Sequence, residues 1–321
     1  MTGTGTQNDP FVPSEWDEFT AAIGTSGAYV SMPIVPVKTT DRRIKLGKLY
    51  FDAQGNRIAN PVASGLPNYY ENNFKFDMND IAPLGGLIEF NNCTVEGNGA
   101  SIMNLHVPDD TKGIVITNGT LNLQNFQFLG INSESTNSNR GVFSCQDSNR
   151  NYSLTNVQFQ GYIADGAFLG SSGGSTRKHI SNTFSLTFGT NAKFCRTYLN
   201  ANDQLYKSCW FDFYGTSSQP FTHSYGNRFI DCKMTGKLTG TAGENPLFPS
   251  DGSSMNCTID MDVTEYSGVK FNYANGSGRH PYIINTDKLP AGTTYVGMTG
   301  VTTAQLADAG YLQSIGFPVG D

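Results

Sequence analysis

Residues 229–236 read FIDCKMTG: an apolar pair, then Asp231 and Cys232, then a strict alternation that ends on a glycine. The order recurs along the chain in IEFNNCTVEG (88–97), LNLQNFQFLG (121–130), LTNVQFQG (154–161), YKSCWFDFYG (206–215) and SMNCTIDMDV (254–263). Anchored on the polar residue before the small or apolar slot, the repeat runs through Asn92, Asn125, Asn156, Ser208, Asp231 and Asn256, with Asn182 of NTFSLTFG as an intermediate member. The spacings are 33, 31, 26, 26, 23 and 25 residues. A period of this size with an internal period of two describes a solenoid whose coils each contribute short strands.

Strand side chains alternate between faces, so Cys257, Ile259, Met261 and Val263 point inward while Thr258, Asp260 and Asp262 point out. The same parity buries Cys209, Phe211 and Phe213, Cys232 and Met234, Phe126 and Phe128, Val157 and Phe159, and Cys93 with Val95. Like residues then stack at the interstrand spacing of about 4.8 Å. Asn, Ser or Asp before the strand suits a tight bend, and a glycine after it suits a corner. The competing fold is a two-sheet sandwich with chance similarity among its strand ends.

The composition agrees with short strands and many turns: 36 glycines, 15% charged residues and 12% aromatics in 321 residues. A net charge of -6 without clustered Lys and Arg argues against nucleic acid or an anionic membrane surface as partner. No stretch reaches the roughly 18 apolar residues of a membrane span, and MTGTGTQNDPFVPSEWDEF shows no export signal. Cys93, Cys145, Cys195, Cys209, Cys232 and Cys257 form no CxxC pair, and four of them fall in the repeat's slot. They are expected to be reduced and buried, as small apolar residues, with no zinc pattern among Cys and His.

The NCxFxG-like coils resemble right-handed parallel β-helix proteins of the pectate-lyase-like superfamily over roughly residues 85–290, and VEGNGASIMNL resembles the first-coil signature of that fold. The leading GTGTQNDPF, the entry FDMNDIAPLGG and the terminal YLQSIGFP resemble β-helical proteins from structural modules of bacteriophages and prophages. The expected fold is therefore all-β, a single-stranded right-handed parallel β-helix of seven to nine coils with a short N-terminal capping helix and a C-terminal helical tail. Its expected divisions are a cap segment (1–36), an insertion loop (37–72), the β-helix (73–290) and an attachment tail (291–321). Ser14, Glu15, Trp16 and Asp17 have capping-box form, with Trp16, Phe19, Ala22 and Ile23 as the apolar helix face. The tail is expected to form a helix capped near Thr303.

In-register stacking also builds outward columns. Trp210, Asp212 and Tyr214 lie beside Lys233, Thr235 and Lys237, which lie beside Thr258, Asp260 and Asp262. Aromatic rings that stack on sugars, with carboxylates and ammonium groups for hydroxyls, make Trp210, Asp212, Tyr214, Lys233, Lys237, Asp260 and Asp262 glycan-binding candidates. An ordinary solvated or oligomer-facing sheet surface is the plainer reading. No catalytic residue is assigned; if the chain is an enzyme, Asp212, Asp260 and Lys233 are the candidates, as a glycoside hydrolase or polysaccharide lyase. Asp260, Asp262 and Glu265 have the chemistry to ligate calcium, but no motif supports a metal or any cofactor. His106, His179, His223 and His280 pair with no nucleophile, SSGGSTRKH (171–179) lacks the order of a phosphate loop, and Asp109–Asp110 reads as a turn.

The resemblance implies a virion structural protein, a head or tail fibre or decoration protein, assembled in the host cytoplasm, binding virion neighbours and surface glycan. The alternative is a polysaccharide-degrading tailspike. A homotrimer is expected from the outward Trp210, Tyr214 and Leu129, and attachment through the Lys38–Tyr70 excursion and through Tyr311, Leu312, Ile315 and Phe317, which would dock the tail against the last coil or a partner.

Overall fold

A single residue per coil turns the chain between two sheets in the computed structural model, which describes residues 1–39, 48–59, 68–136, 141–145, 150–171, 176–195, 204–218, 220–221, 227–243, 256–272 and 282–318. Asn125, Asn156, Ser181, Ser208, Asp231 and Asn256 have φ between 53° and 55°, the left-handed region that short polar side chains tolerate best after glycine. The first four are hydrogen-bonded to the next coil: the Asn125 amide donates to the Thr155 carbonyl at 3.0 Å, and the Asn156, Ser181 and Ser208 amides donate to the carbonyls of Ile180, Lys207 and Ile230, each at 2.8 Å.

The corner separates a first parallel sheet of seven strands, from Tyr29–Ser31 to Asn227–Ile230, from a second that carries the longest path of rungs. The second sheet begins at Lys75–Asp77, passes through Gln127–Ser133, Gln158–Ile163, Thr183–Phe188, Trp210–Gly215 and Lys233–Leu238, and ends at Met298–Val301. A third sheet of five parallel strands, from Ile88–Asn91 to Lys193–Cys195, closes the coil. The result is a parallel β-solenoid of about six turns, not a sandwich. That is fewer than expected, because the rungs Thr258–Ile259, Tyr282–Asn285 and Met298–Val301 extend the second sheet beyond the described strands of the third.

The interior follows the predicted parity. Phe128, Phe159, Phe184 and Phe211 stack face to face along one column, at centroid spacings of 5.2, 5.4 and 5.3 Å. A second column stacks His179, Tyr206 and Phe229 at 4.5 and 4.9 Å. All six cysteines are free and buried. The thiols of Cys209, Cys232 and Cys257 donate to the carbonyls of His179, Tyr206 and Phe229, each at 3.4 Å. In these three coils the slot residue thus ties the corner to the first-sheet strand of the preceding coil. Gly215 and Gly236 have φ of 117° and 108°, and a Cβ on either would fall 2.0 Å from the carbonyl oxygen of Phe188 or Phe213.

Two members of the sequence repeat sit differently from their reading. Asn92 lies between the third sheet and Thr94–Glu96 of the first sheet, and Cys93 therefore stands outside the ladder of Cys209, Cys232 and Cys257. The first-to-second corner of that coil is built on Asn98, with φ 52°. Similarly, Ser181 is the corner residue and Asn182 fills the buried slot, donating to the Leu154 carbonyl at 3.1 Å and accepting from the Val157 amide at 2.8 Å. Asparagine there does what cysteine does one coil later.

The helix Trp16–Gly24 closes the open first coil with Phe19, Ala22 and Ile23 buried and Trp16 against Phe76 at 5.4 Å. Its start is not the expected capping box: Glu15 is the cap residue, and Glu18 reaches back to the Ser14 amide and hydroxyl at 2.8 and 2.9 Å. Within the 37–72 excursion, Tyr50–Phe51, Arg57–Ile58 and Tyr70–Asn72 join Pro36–Lys38 in a small antiparallel sheet. At the other end the cap is Thr302, in a capping box with Gln305, and the helices Thr303–Leu306 and Ala309–Ser314 fold back on the last rung. Leu312 and Phe317 are buried there against Ile283 and Val301.

Burial raises the Cys93 thiol to about 12 and raises those of Cys209 and Cys232 as well. A thiol-reactive disulfide should leave the native cysteines unlabelled at neutral pH and label them after denaturation; stoichiometric native labelling would contradict the ladder. His179 is fully buried, accepts or donates one bond with the Tyr152 hydroxyl at 3.0 Å, and is lowered to about 3 by burial and by Arg177. Between an ordinary value near 6.5 and that folded value, only the unfolded chain takes up the proton. Stability is therefore unaffected by this group above about pH 6.5 and falls by about 1.4 kcal/mol per pH unit below it. Thermal melting from pH 8 to pH 4 should show that slope, reduced in a Tyr152→Phe/His179→Phe double variant; an unchanged slope would remove His179 as its source.

Candidate functional site

The outward residues of the second sheet form straight columns from Gln158–Ile163 to Lys233–Leu238, where the rungs pair without a register shift. Thr183, Trp210, Lys233 and Thr258 make one column, and Ser185, Asp212 and Thr235 the next. Tyr162, Thr187, Tyr214 and Lys237 make a third, continued by a bridge to Asp262. The seven glycan-binding candidates therefore share one lateral face. Tyr162 and Tyr214 are each 44% exposed and lie two rungs apart in one column, which makes them the most accessible aromatic rings of this face.

The polar groups of the face are bound to one another. Trp210 Nε1 donates to Thr235 Oγ1 at 2.7 Å, and Thr235 in turn donates to Asp212 Oδ1 at 2.7 Å. Ser185 reaches the other Asp212 oxygen at 3.4 Å. Asp260 is held by Lys288 Nζ and by Asn285 Nδ2, both at 2.8 Å. Lys237 pairs with Glu265 at 2.7 Å and stands 4.0 Å from Asp262.

These bonds account for the electrostatics. Hydrogen bonding to Glu265, with its charge, holds the Lys237 ammonium above its usual value. Hydrogen bonds from Thr264 lower Asp262, with Lys237 and Lys288 adding to the effect. Tyr214 is raised by partial desolvation first and by the neighbouring Asp212 carboxylate second. Asp260, Asp262 and Glu265 are thus divided among Lys288, Thr264 and Lys237, and no group of three or more His, Cys, Asp or Glu is placed to hold a metal among the described residues.

The partners Lys288 and Asn285 lie past the last recognisable octet, and Glu265 lies just beyond its alternation, so the repeat carried no sign of them. Ser185 was hidden for another reason: taking Asn182 as the corner flips the alternation of NTFSLTFG and turns Ser185 inward. Of the tail's attachment candidates, Leu312 and Phe317 are spent on the chain's own last rung, while Tyr311 and Ile315 are partly buried around them. His106 and His179 lie apart, His106 beside Glu134 at 3.4 Å and His179 in the core; His223 and His280 lie outside the described residues, as does most of the 171–176 turn. Asp109 accepts from the Thr136 amide and hydroxyl at 2.8 Å, and Asp110 takes a φ of 57°, as a turn requires.

Two open depressions flank the columns and the third sheet. One of about 360 Å³ is lined by Ser181, Ser208, Cys209, Trp210, Asp231 and Lys233. The other, of about 680 Å³, lies between the 84–87 and 108–112 turns, with Leu84 88% exposed at its rim. No helix among the described residues is long and apolar enough to cross a membrane. No protein-family model, curated protein or solved structure matches this chain.

Thr235 is the hinge of the Trp210–Thr235–Asp212 chain. Replacing it with the isosteric Val should cost about 1–2 kcal/mol by leaving a half-buried indole N–H and a carboxylate oxygen without their partner. Trp210 emission should shift with it; a Thr235→Val protein with unchanged melting and emission would mean that the chain of bonds does not form in solution.

Proposed function

We propose that the protein is a non-enzymatic structural component of a bacteriophage or prophage particle, a head or tail fibre or decoration protein, that contacts particle neighbours through its ends and surface glycan through the outer face of its second sheet. One observation carries the choice of binding over cleavage. The two carboxylates best spaced for hydrolysis already serve as fixed acceptors, Asp212 for Thr235 and Asp260 for Lys288 and Asn285. Groups locked in place by their own partners favour recognition, because little freedom is lost on binding.

The sequence resemblance of the entry and tail segments supports the particle assignment, and buried free thiols agree with assembly in a reducing host cytoplasm. Attachment then falls to the antiparallel sheet that the 37–72 excursion forms with Pro36–Lys38, where Val37 is 47% exposed, and to the rim of the tail at Tyr311 and Ile315. Trimerisation about the solenoid axis would cover outward apolar area such as Leu129. The reading requires no cofactor.

A polysaccharide-degrading spike is the second reading, favoured by one spacing: Asp212 and Asp260 lie two rungs apart, about 9–10 Å between backbones, near the upper limit for inverting glycosidases. Purified protein incubated with mixed bacterial glycans should release no oligosaccharide while retaining glycan on an array. Release that disappears in Asp212→Ala and Asp260→Ala would instead establish the enzyme. Light scattering should give three chains per particle, and a monomer at micromolar concentration would remove the trimer.

A further inference from the structure

We infer that the corner groove between Ser181 and Asp231 is a subsite for a single sugar ring bearing a carboxylate, an inference that rests on the glycan-binding reading above and names its ligand class. The groove exists because the ladder of corner side chains lapses. Asn156 Nδ2 donates to Asn125 Oδ1 at 2.7 Å, Asn125 donates to Glu96 at 2.9 Å, and Asn256 donates to Asp231 at 3.0 Å. Each of these asparagines spans the gap to the coil before it. Ser181 and Ser208 are too short to bridge a coil spacing of about 4.8 Å.

The consequence is visible in the space left open. The corner lined by Asn125, Asn156 and Ser181 leaves about 20 Å³, whereas the corresponding corner lined by Ser181, Ser208 and Asp231 leaves about 360 Å³. The larger value falls within the range of small-ligand sites, which begins at about 300 Å³.

The lining sets the chemistry. Trp210 is pinned through its N–H to Thr235, so its ring is oriented before any ligand arrives and can stack on the C–H face of a pyranose. The Ser181 and Ser208 hydroxyls can each donate and accept, and Asp231 uses only Oδ1 for Asn256, leaving Oδ2 to accept from sugar hydroxyls. The Cys209 thiol on the floor points its hydrogen inward to the His179 carbonyl and offers the ligand only sulfur. Lys233 decides the charge. Unlike those of Lys237 and Lys288, its ammonium makes no ion pair or hydrogen bond among the described residues, and the side chain is exposed at the rim beside Trp210. An ammonium without an internal counter-charge, next to a stacking ring and two hydroxyls, fits a sugar carboxylate.

The test uses the full-length chain in a Trp16→Phe background, so that Trp210 is the remaining indole. Titration with methyl glucuronoside should change its emission saturably, with an affinity about tenfold above that for methyl glucoside. Lys233→Met should abolish the preference, bringing the two sugars to equal affinity. Ser208→Asn, which refills the ladder with a residue suited to a positive φ, should abolish binding of both sugars while the melting temperature is kept or raised. Equal affinity for the two sugars, or undiminished binding in Ser208→Asn, would overturn the subsite. If neither sugar perturbs Trp210 while arrayed glycans still bind through a surface sensitive to Tyr214→Ala, the subsite falls and the glycan-binding reading stands; loss of all glycan binding removes both. Should Ser208→Asn fail to fold, the Lys233→Met comparison decides alone, because that side chain is exposed and its replacement leaves the core untouched.

Discussion

The solenoid depends on a corner in which one residue reverses the sense of its backbone without leaving its amide unpaired. At Asn156, Ser181 and Ser208 the amide of the left-handed residue donates to the following coil, while the residues two positions on, Gln158, Thr183 and Trp210, donate back to the slot carbonyls of Phe126, Val157 and Asn182. A bend made this way costs strain at one position but keeps the parallel ladder continuous on both sides of it. That continuity places identical faces above one another, and the phenylalanine and His179–Tyr206–Phe229 columns follow from it. From Asn182 onward the slot side chain completes the corner by donating to the preceding coil, which asparagine and cysteine both can do because both are small and carry a donor, whereas Phe126 and Val157 fill the slot with apolar bulk alone.

Much of this was legible in the octets because burial imposes it. A strand whose inward face must stack on like neighbours has to write apolar residues at every second place, so the parity of Cys257, Ile259, Met261 and Val263 was readable without coordinates. The corner was less so. Asn92 and Asn182 carry the right residue type at nearly the right spacing, yet one sits at a different bend and the other one position along. Asparagine is favoured both at a left-handed corner and as a buried donor, and a sequence does not distinguish the two uses. Spacing did not help, since coils differ in the length of the third-sheet side.

The candidate face was legible as a set of columns and illegible as a network. Parity and register bring Trp210, Asp212, Tyr214, Lys233, Lys237, Asp260 and Asp262 onto one surface, because both properties are fixed by the strand. What each group bonds depends on Lys288, Asn285 and Glu265, which reach in from outside the repeating alternation. The tail shows the same limit from the other side. Its apolar spacing suited the last coil or a partner alike; the open last rung presents Ile283 and Val301 close at hand, and Leu312 and Phe317 cover them.

A repeat under this constraint has little freedom for function except where it departs from itself. Inward substitutions disturb two neighbouring columns at once, and corner substitutions are confined to the few residues that accept a positive φ. Serine at two consecutive corners is therefore informative: it satisfies the backbone demand less well than asparagine and gives up a side-chain bond at each coil. The losses fall on the Thr183–Phe188 and Trp210–Gly215 rungs, next to the rung that carries Lys233 and beside the unladdered groove. Residues chosen for stability alone would have continued the ladder there. The coincidence of a weakened corner, a pinned indole and an unpaired ammonium on adjacent rungs is what separates this stretch of the surface from a solvated sheet face.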